Sequence, residues 1–230
     1  MTGEAMENIE LHLNEIRHRI GRAARHSGRR ETDITLVAVS KTVGPEAVMA
    51  AFELGVTDFG ENRVAELVRK NSILPQARWH LIGRLQTNKV KDVVGRTCLI
   101  HSLDRWKLAE EINKRGMALG IQVPVLLQVN ITGEDSKTGL DPLDVAAFLQ
   151  SAGQLPAVQI MGLMTMAKDD PDPEASRPVF RELAELRSRM AALRLENVQL
   201  RHLSMGMSQD YEVAVEEGAD IVRIGSALFK

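Results

Sequence analysis

Lys41 follows the apolar, β-branched run Ile34-Thr35-Leu36-Val37-Ala38-Val39-Ser40, the composition of a strand buried on both faces. A lysine at the carboxyl end of such a strand stands where α/β proteins place their chemistry, and a partly desolvated amine there can lose its proton and form a Schiff base. The same pattern also fits a lysine that only snorkels into water. Near the other end of the chain, Ser204-Met205-Gly206 and Gly225-Ser226 join hydroxyl donors to glycines that let backbone N–H groups approach an anion. Two ordinary glycine–serine turns are the plainer reading. Arg223, between Val222 and Ile224, is a permanent hydrogen-bond donor embedded in an apolar run.

These residues need elements to bring them together. Apolar runs at 34–41, 56–60, 78–83, 98–102, 123–130, 158–164, 199–204 and 221–224 read as strands. Helical patterns fall between them, at 45–54, 61–71, 86–94, 104–119, 142–152, 173–193 and 208–217, with Asp104 as a cap for the fourth. Another helix, with Ile9, Leu13, Ile16 and Ile20 on one face, precedes the first strand. Eight strands alternating with helices predict a single (β/α)8 barrel (a TIM barrel) over 1–230, with the N-terminal helix in the place of an eighth helix. A doubly wound dinucleotide fold is the competitor, but GxGxxG does not follow the first strand.

The 230 residues are 44% hydrophobic and 26% charged, with a formal net charge of -2, so no global attraction to nucleic acid or an anionic membrane is expected. No run of 18 apolar residues predicts a membrane span, and the acidic, amphipathic start is unlike a secretory signal. The single cysteine, Cys98, favours a reducing compartment and reads as a packed thiol. A cytoplasmic protein, monomeric because a closed barrel has no free strand edge, is the expectation. The run Arg17, Arg19, Arg22, Arg25, Arg29 and Arg30 reads as a solvated helix face, with a phosphate or nucleic-acid patch as the rival. His80, His101 and His202 fall on strands without HxH or HExxH spacing, which predicts hydrogen-bonded histidines and no metal site.

In a barrel the first and eighth strands are neighbours, so Lys41 meets a phosphate cup formed after strands seven and eight. An aldehyde-reactive amine beside a phosphate site is what pyridoxal 5'-phosphate (PLP) requires. Arg223 would then point inward at the pyridine nitrogen, and a donor that keeps its charge leaves that nitrogen unprotonated and weakens the electron sink. A class I aldolase, using Lys41 on a sugar phosphate without a cofactor, satisfies the same residues.

Motifs along nearly the whole chain narrow this choice. They include Leu36-Val37-Ala38-Val39-Ser40-Lys41-Thr42, Phe59-Gly60-Glu61-Asn62-Arg63, Trp79-His80-Leu81-Ile82-Gly83-Arg84-Leu85-Gln86-Thr87-Asn88-Lys89, Ser204-Met205-Gly206-Met207-Ser208 and Val222-Arg223-Ile224-Gly225-Ser226. In this order they resemble the pyridoxal phosphate homeostasis protein family, related to the N-terminal domain of alanine racemases. The resemblance implies a fold-type III PLP barrel without the racemases' C-terminal β domain. It assigns Lys41 as the Schiff-base lysine, Arg223 as the arginine facing the ring nitrogen, and Ser204, Gly225 and Ser226 as phosphate contacts. Asn62 would line the cofactor, with Met205 and Gly206 as further neighbours. Ala65 and the Phe229-Lys230 ending depart from the family pattern without touching these positions.

The family is regarded as regulatory and cofactor-binding, with apo forms of PLP enzymes as candidate recipients. Racemisation needs acid/base groups on both faces of the cofactor–substrate plane. Racemases of this fold take one from a tyrosine, whereas Tyr211, in the helix after strand seven, is the one tyrosine here. Reversible PLP carriage is therefore the expectation, and a PLP-dependent racemase or deaminase of narrow specificity the alternative. Lys137, in the loop after strand five, is a candidate for briefly receiving the aldehyde during transfer.

Overall fold

The computed structural model describes residues 3–134 and 138–230, so the loop position of Lys137 lies outside the described residues. Eight parallel strands close into a barrel in chain order: β1 (Thr35–Val39), β2 (Asp58–Glu61), β3 (Arg78–Leu81), β4 (Leu99–Leu103), β5 (Val123–Gln128), β6 (Val158–Met164), β7 (Val198–Ser204) and β8 (Ile221–Ile224). β1 pairs with both β2 and β8, with Val37 opposite Arg223, as the expected adjacency of the first and last strands requires. The helices are α1 (Gly3–His26), α2 (Pro45–Glu53), α3 (Val64–Ile73), α4 (Val90–Val93), α5 (Trp106–Leu119), α6 (Val145–Ala152), α7 (Arg177–Ala191), α8 (Tyr211–Glu216) and α9 (Ser226–Phe229).

Side-chain alternation along the strands sorts the core into two compartments. Ala38, Val125, Leu127, Leu163, Val222 and Ile224 face outward and pack beneath the helices in one large apolar cluster. Val37, Leu99, Leu126, Met164 and Ile221 face inward as a smaller cluster. Barrel interiors are usually filled by branched apolar layers. Here the rest of the interior is polar, with Asp58, His80, His101, Ser204 and Arg223 all buried. At Gly162, paired with His202, β6 and β7 approach so closely that an added Cβ would stand 2.0 Å from the His202 carbonyl oxygen.

α1 buries Ile9, Leu13, Ile16 and Ile20 and packs on α2, α8 and α9, covering the flank that the short α8 leaves open. Arg22, Arg25 and Arg30 are exposed, as a solvated face requires, but arginines on α1 and just after it also fasten that contact. Arg19 and Arg22 both pair with Glu212, and Arg29 donates to the carbonyls of Val215 and Ala219. Arg30 pairs locally with Asp33.

Several predicted boundaries move for identifiable reasons. Glu61 belongs to β2, not to the following helix, because its fully buried carboxylate is bound within the barrel wall. Residues 86–94 form a 3-10 turn at Thr87–Lys89 before the single turn of α4. Asp104 does not cap α5: its carboxylate pairs with Arg105 and, at 3.6 Å, with Arg84. Cys98 donates to the Trp79 carbonyl, and burial pushes its thiol up to about 12, far from a nucleophile's range. No helix among the described residues is long and apolar enough to cross a membrane.

Candidate cofactor-binding site

A cavity of about 550 Å³ opens at the carboxyl ends of the strands, and Lys41, Asn62, Arg223, Gly225 and Ser226 all line it. Sequence reasoning placed all five on this face, and the barrel brings them together. Lys41 stands two residues past the end of β1 with its side chain exposed at the cavity wall.

The backbone that presents Lys41 is held from behind. Ser40 is fully buried, and its Oγ donates to Glu61 Oε1 at 2.7 Å. Lys70, reaching in from α3 and only 2% exposed, donates to the same Oε1 at 2.6 Å and to the Ser40 carbonyl at 2.7 Å. The other Glu61 oxygen, Oε2, is buried without a hydrogen-bond partner. A buried ion pair of this kind specifies geometry more than it adds stability. Here the geometry it specifies is that of the residue before Lys41.

Arg223, 4% exposed, enters the cavity floor from β8. One guanidinium nitrogen donates to Ser204 Oγ at 2.6 Å and another to the Thr165 carbonyl at 3.0 Å. Burial lowers its pKa to about 10, with Asp210 acting in the opposite sense, so it keeps its proton at neutral pH.

The predicted phosphate residues divide into two groups. Gly225 and Ser226 are on the cavity wall, whereas Ser204, Met205 and Gly206 are buried behind it. Ser204 is spent on Arg223 and on His101 Nδ1, 2.9 Å away. Gly206, at φ +90°, turns the chain and accepts the Arg223 backbone N–H through its carbonyl at 3.0 Å. Besides Ser226, the cavity wall carries Ser208, where the backbone N–H groups of Gly225 and Ala227 both donate to Oγ at 3.3 Å. β7 runs to Ser204, which puts the first serine of the motif inside the barrel and the second on its rim. Asp210 fixes this loop by accepting from the Met207 N–H at 2.6 Å and from Ser176 Oγ at 3.0 Å. At Gly225 a Cβ would come within 3.1 Å of the Val39 carbonyl oxygen, so the wall between β8 and β1 leaves little room for a side chain.

The three strand histidines are hydrogen-bonded, as expected. His80 contacts His101 and Asp58, each at 2.9 Å, and His202 pairs with Asp220 at 2.9 Å. Asp58, His80 and Cys98 bring ligand-type atoms within 4.8 Å of one another at the barrel end opposite the cavity. Their hydrogen bonds already engage them: Asp58 accepts from Arg78 Nε at 2.9 Å and from Thr57 Oγ1 at 2.7 Å besides meeting His80. Burial alone would raise the Asp58 pKa, but hydrogen bonds from His80, Thr57 and Arg78 outweigh it and hold it at about 2, below its ordinary 3.8. A folded-state pKa below the unfolded one adds stability above the unfolded value and loses it as pH falls through the folded value. Asp58 is therefore expected to contribute about 2 kcal/mol at neutral pH. In acid titrations of unfolding free energy, Asp58→Asn should differ from wild type above pH 4 and converge with it towards pH 2.

Comparison with known proteins places this geometry. The model of the alanine racemase N-terminal domain matches residues 11–230. A pyridoxal phosphate homeostasis protein of Aquifex aeolicus is 47% identical over 219 residues, covering 94% of this chain and 95% of its own. A crystal structure of a Bifidobacterium adolescentis protein superposes with a TM-score of 0.94 at 34% identity, covering 100% of this chain and 97% of its own. PipY of Synechococcus elongatus PCC7942, solved with PLP bound, superposes with a TM-score of 0.84 at 34% identity, covering 96% of this chain and 100% of its own. With its strand-end cavity and matches along nearly its whole length, the chain belongs to the pyridoxal phosphate homeostasis protein family, within the wider family of the alanine racemase N-terminal domain.

Proposed function

We propose that this protein binds PLP through Lys41 and holds it reversibly, acting in cofactor homeostasis and carriage instead of amino-acid catalysis. The observation that carries the reading is one cavity lined by a strand-end lysine, a buried arginine and the Ser208–Gly225–Ser226 wall. Its volume of about 550 Å³ lies in the range of small-molecule sites. Bound there, PLP would supply an aldehyde, the group with which a lysine amine can combine reversibly. Lys41 provides that amine, and the hydroxyls of Ser208 and Ser226 provide donors for the phosphate beside Gly225. Arg223 provides a donor for the ring nitrogen that retains its proton, and Asn62 lines the side of the cavity next to Lys41.

A catalytic role needs a second acid/base group facing the first. Tyr211 is buried beneath α1, with Arg19 5.4 Å from its ring centre, and does not line the cavity. Besides Lys41 and Arg223 the cavity's ionisable groups are Lys168, Asp169 and Asp170 in the loop after β6, Arg84 after β3, Asp210, which is engaged by the Met207 N–H and Ser176, and Lys230 at the C-terminal end. We assign those in the loop after β6 to the rim. Recipients of the cofactor are apo forms of PLP enzymes, and the closed sheet, which offers no strand edge for pairing, favours a monomer.

The test is a pair of assays on the PLP-loaded protein. Activity is expected to appear in an added apo-enzyme as PLP leaves the carrier, while no amino acid is racemised or deaminated at about 1 per second or faster. Turnover of one amino acid at that rate, abolished by Lys41→Ala, would establish the racemase or deaminase reading in its place.

A further inference from the structure

An unbroken line of side-chain hydrogen bonds runs through the barrel from the cavity to its opposite end. It begins with Arg223, which donates to Ser204 Oγ at 2.6 Å. Ser204 Oγ lies 2.9 Å from His101 Nδ1, and His101 Nε2 lies 2.9 Å from His80 Nδ1. His80 Nε2 reaches Asp58 Oδ1, again at 2.9 Å. The five residues come from β8, β7, β4, β3 and β2, and Asp58 opens its strand at the end remote from the cavity. None is more than 7% exposed.

The two ends constrain the direction of the bonds between them. A guanidinium can only donate, so Ser204 accepts from Arg223 and has its own hydrogen left for His101 Nδ1. A carboxylate can only accept, so His80 Nε2 carries a hydrogen toward Asp58. With His101 Nδ1 accepting, its Nε2 carries the hydrogen that His80 Nδ1 accepts. One hydrogen then occupies each junction, and no group opposes another. The surroundings agree: burial, followed by His80, Arg223 and His202, holds His101 well below the usual histidine pKa. At the far end, Asp58 also faces Arg78, and Cys98 lies in the same cluster.

An interior built only for packing would use branched apolar residues, because buried polar groups cost free energy unless every one is bonded. We propose that Ser204, His101, His80 and Asp58 are positioning residues for Arg223: a one-way hydrogen-bond line, with a hydrogen on Nε2 of each imidazole pointing toward Asp58, fixes its donor face and couples it to the carboxylate at the far end of the barrel. The functional consequence rests on the PLP reading, whereas the line itself is a property of the cofactor-free protein. A change at Asp58 should therefore reach a cavity that Asp58 does not touch.

The test is long-range 1H–15N correlation of the cofactor-free protein labelled in histidine, followed by PLP titration of wild type and Asp58→Asn. In wild type, His101 should show the neutral Nε2–H pattern throughout pH 5.5–8, and His80 should carry a hydrogen on Nε2. In Asp58→Asn, the His101 nitrogens should shift although His80 stands between, the absorbance maximum of added PLP should move, and its dissociation should quicken by about tenfold. A His101 protonated on Nδ1, or titrating near the ordinary 6.5, overturns the proposal even if the variant does not fold. So does an Asp58→Asn protein with unchanged His101 resonances and PLP release. Failure of wild type to bind PLP would instead overturn the cofactor reading and leave the line standing.

Discussion

Lys41→Ala is expected to bind PLP without the visible band of a lysine-bound cofactor and to retain no label after borohydride reduction. Affinity should weaken by at least about tenfold, or 1.4 kcal/mol, because only the phosphate and ring contacts remain. The fold should be intact, since Lys41 lies past the end of β1 and its side chain is exposed. Equilibrium dialysis with absorbance spectra checks both statements. A variant that keeps the wild-type spectrum and affinity would move the attachment to another lysine.

Lys70→Ala should have the largest effect on stability. It leaves the Glu61 carboxylate fully buried with its one cation removed and the Ser40 carbonyl without its donor. Breaking one side of such a pair costs roughly 3–5 kcal/mol. In a domain of this size that lowers the unfolding midpoint by about 6–20 °C. The double variant Glu61→Leu with Lys70→Met removes both charges and should recover part of the loss. It should not recover PLP affinity, because Ser40 Oγ and its carbonyl, which set the approach of Lys41, have lost their partners. Calorimetry of the three proteins decides the matter, and a Lys70→Ala midpoint within 2 °C of wild type would contradict it.

The barrel was legible because its signal is repeated: eight apolar runs alternate with helical patterns, and most of the runs are followed by polar residues, several of them with glycine. Lys41, Arg223, Gly225 and Ser226 could be placed there from position relative to a strand end alone. Ser204 could not: its strand ends where expected, but its hydroxyl turns into the barrel toward Arg223 and His101, partners that the sequence does not announce. Lys70 gave no signal, because a lysine on a helical pattern reads as solvent-facing until the partner it reaches is known. The contacts of Arg19 and Arg22 on α1, and of Arg29 just after it, gave no signal for a related reason. Their partners, Glu212 and the carbonyls of Val215 and Ala219, lie about 190 positions away in the chain. His80 and His101 were expected to be hydrogen-bonded, but their meeting with each other depends on the register of β3 against β4.

The central claim is that the cofactor is carried on Lys41 at the mouth of this barrel. Borohydride reduction of the PLP-loaded protein, followed by peptide mass mapping, tests it most directly. One pyridoxyl phosphate per chain on the peptide containing Lys41 is the predicted result. Label distributed over several lysines, or concentrated on a lysine outside the cavity, would contradict it.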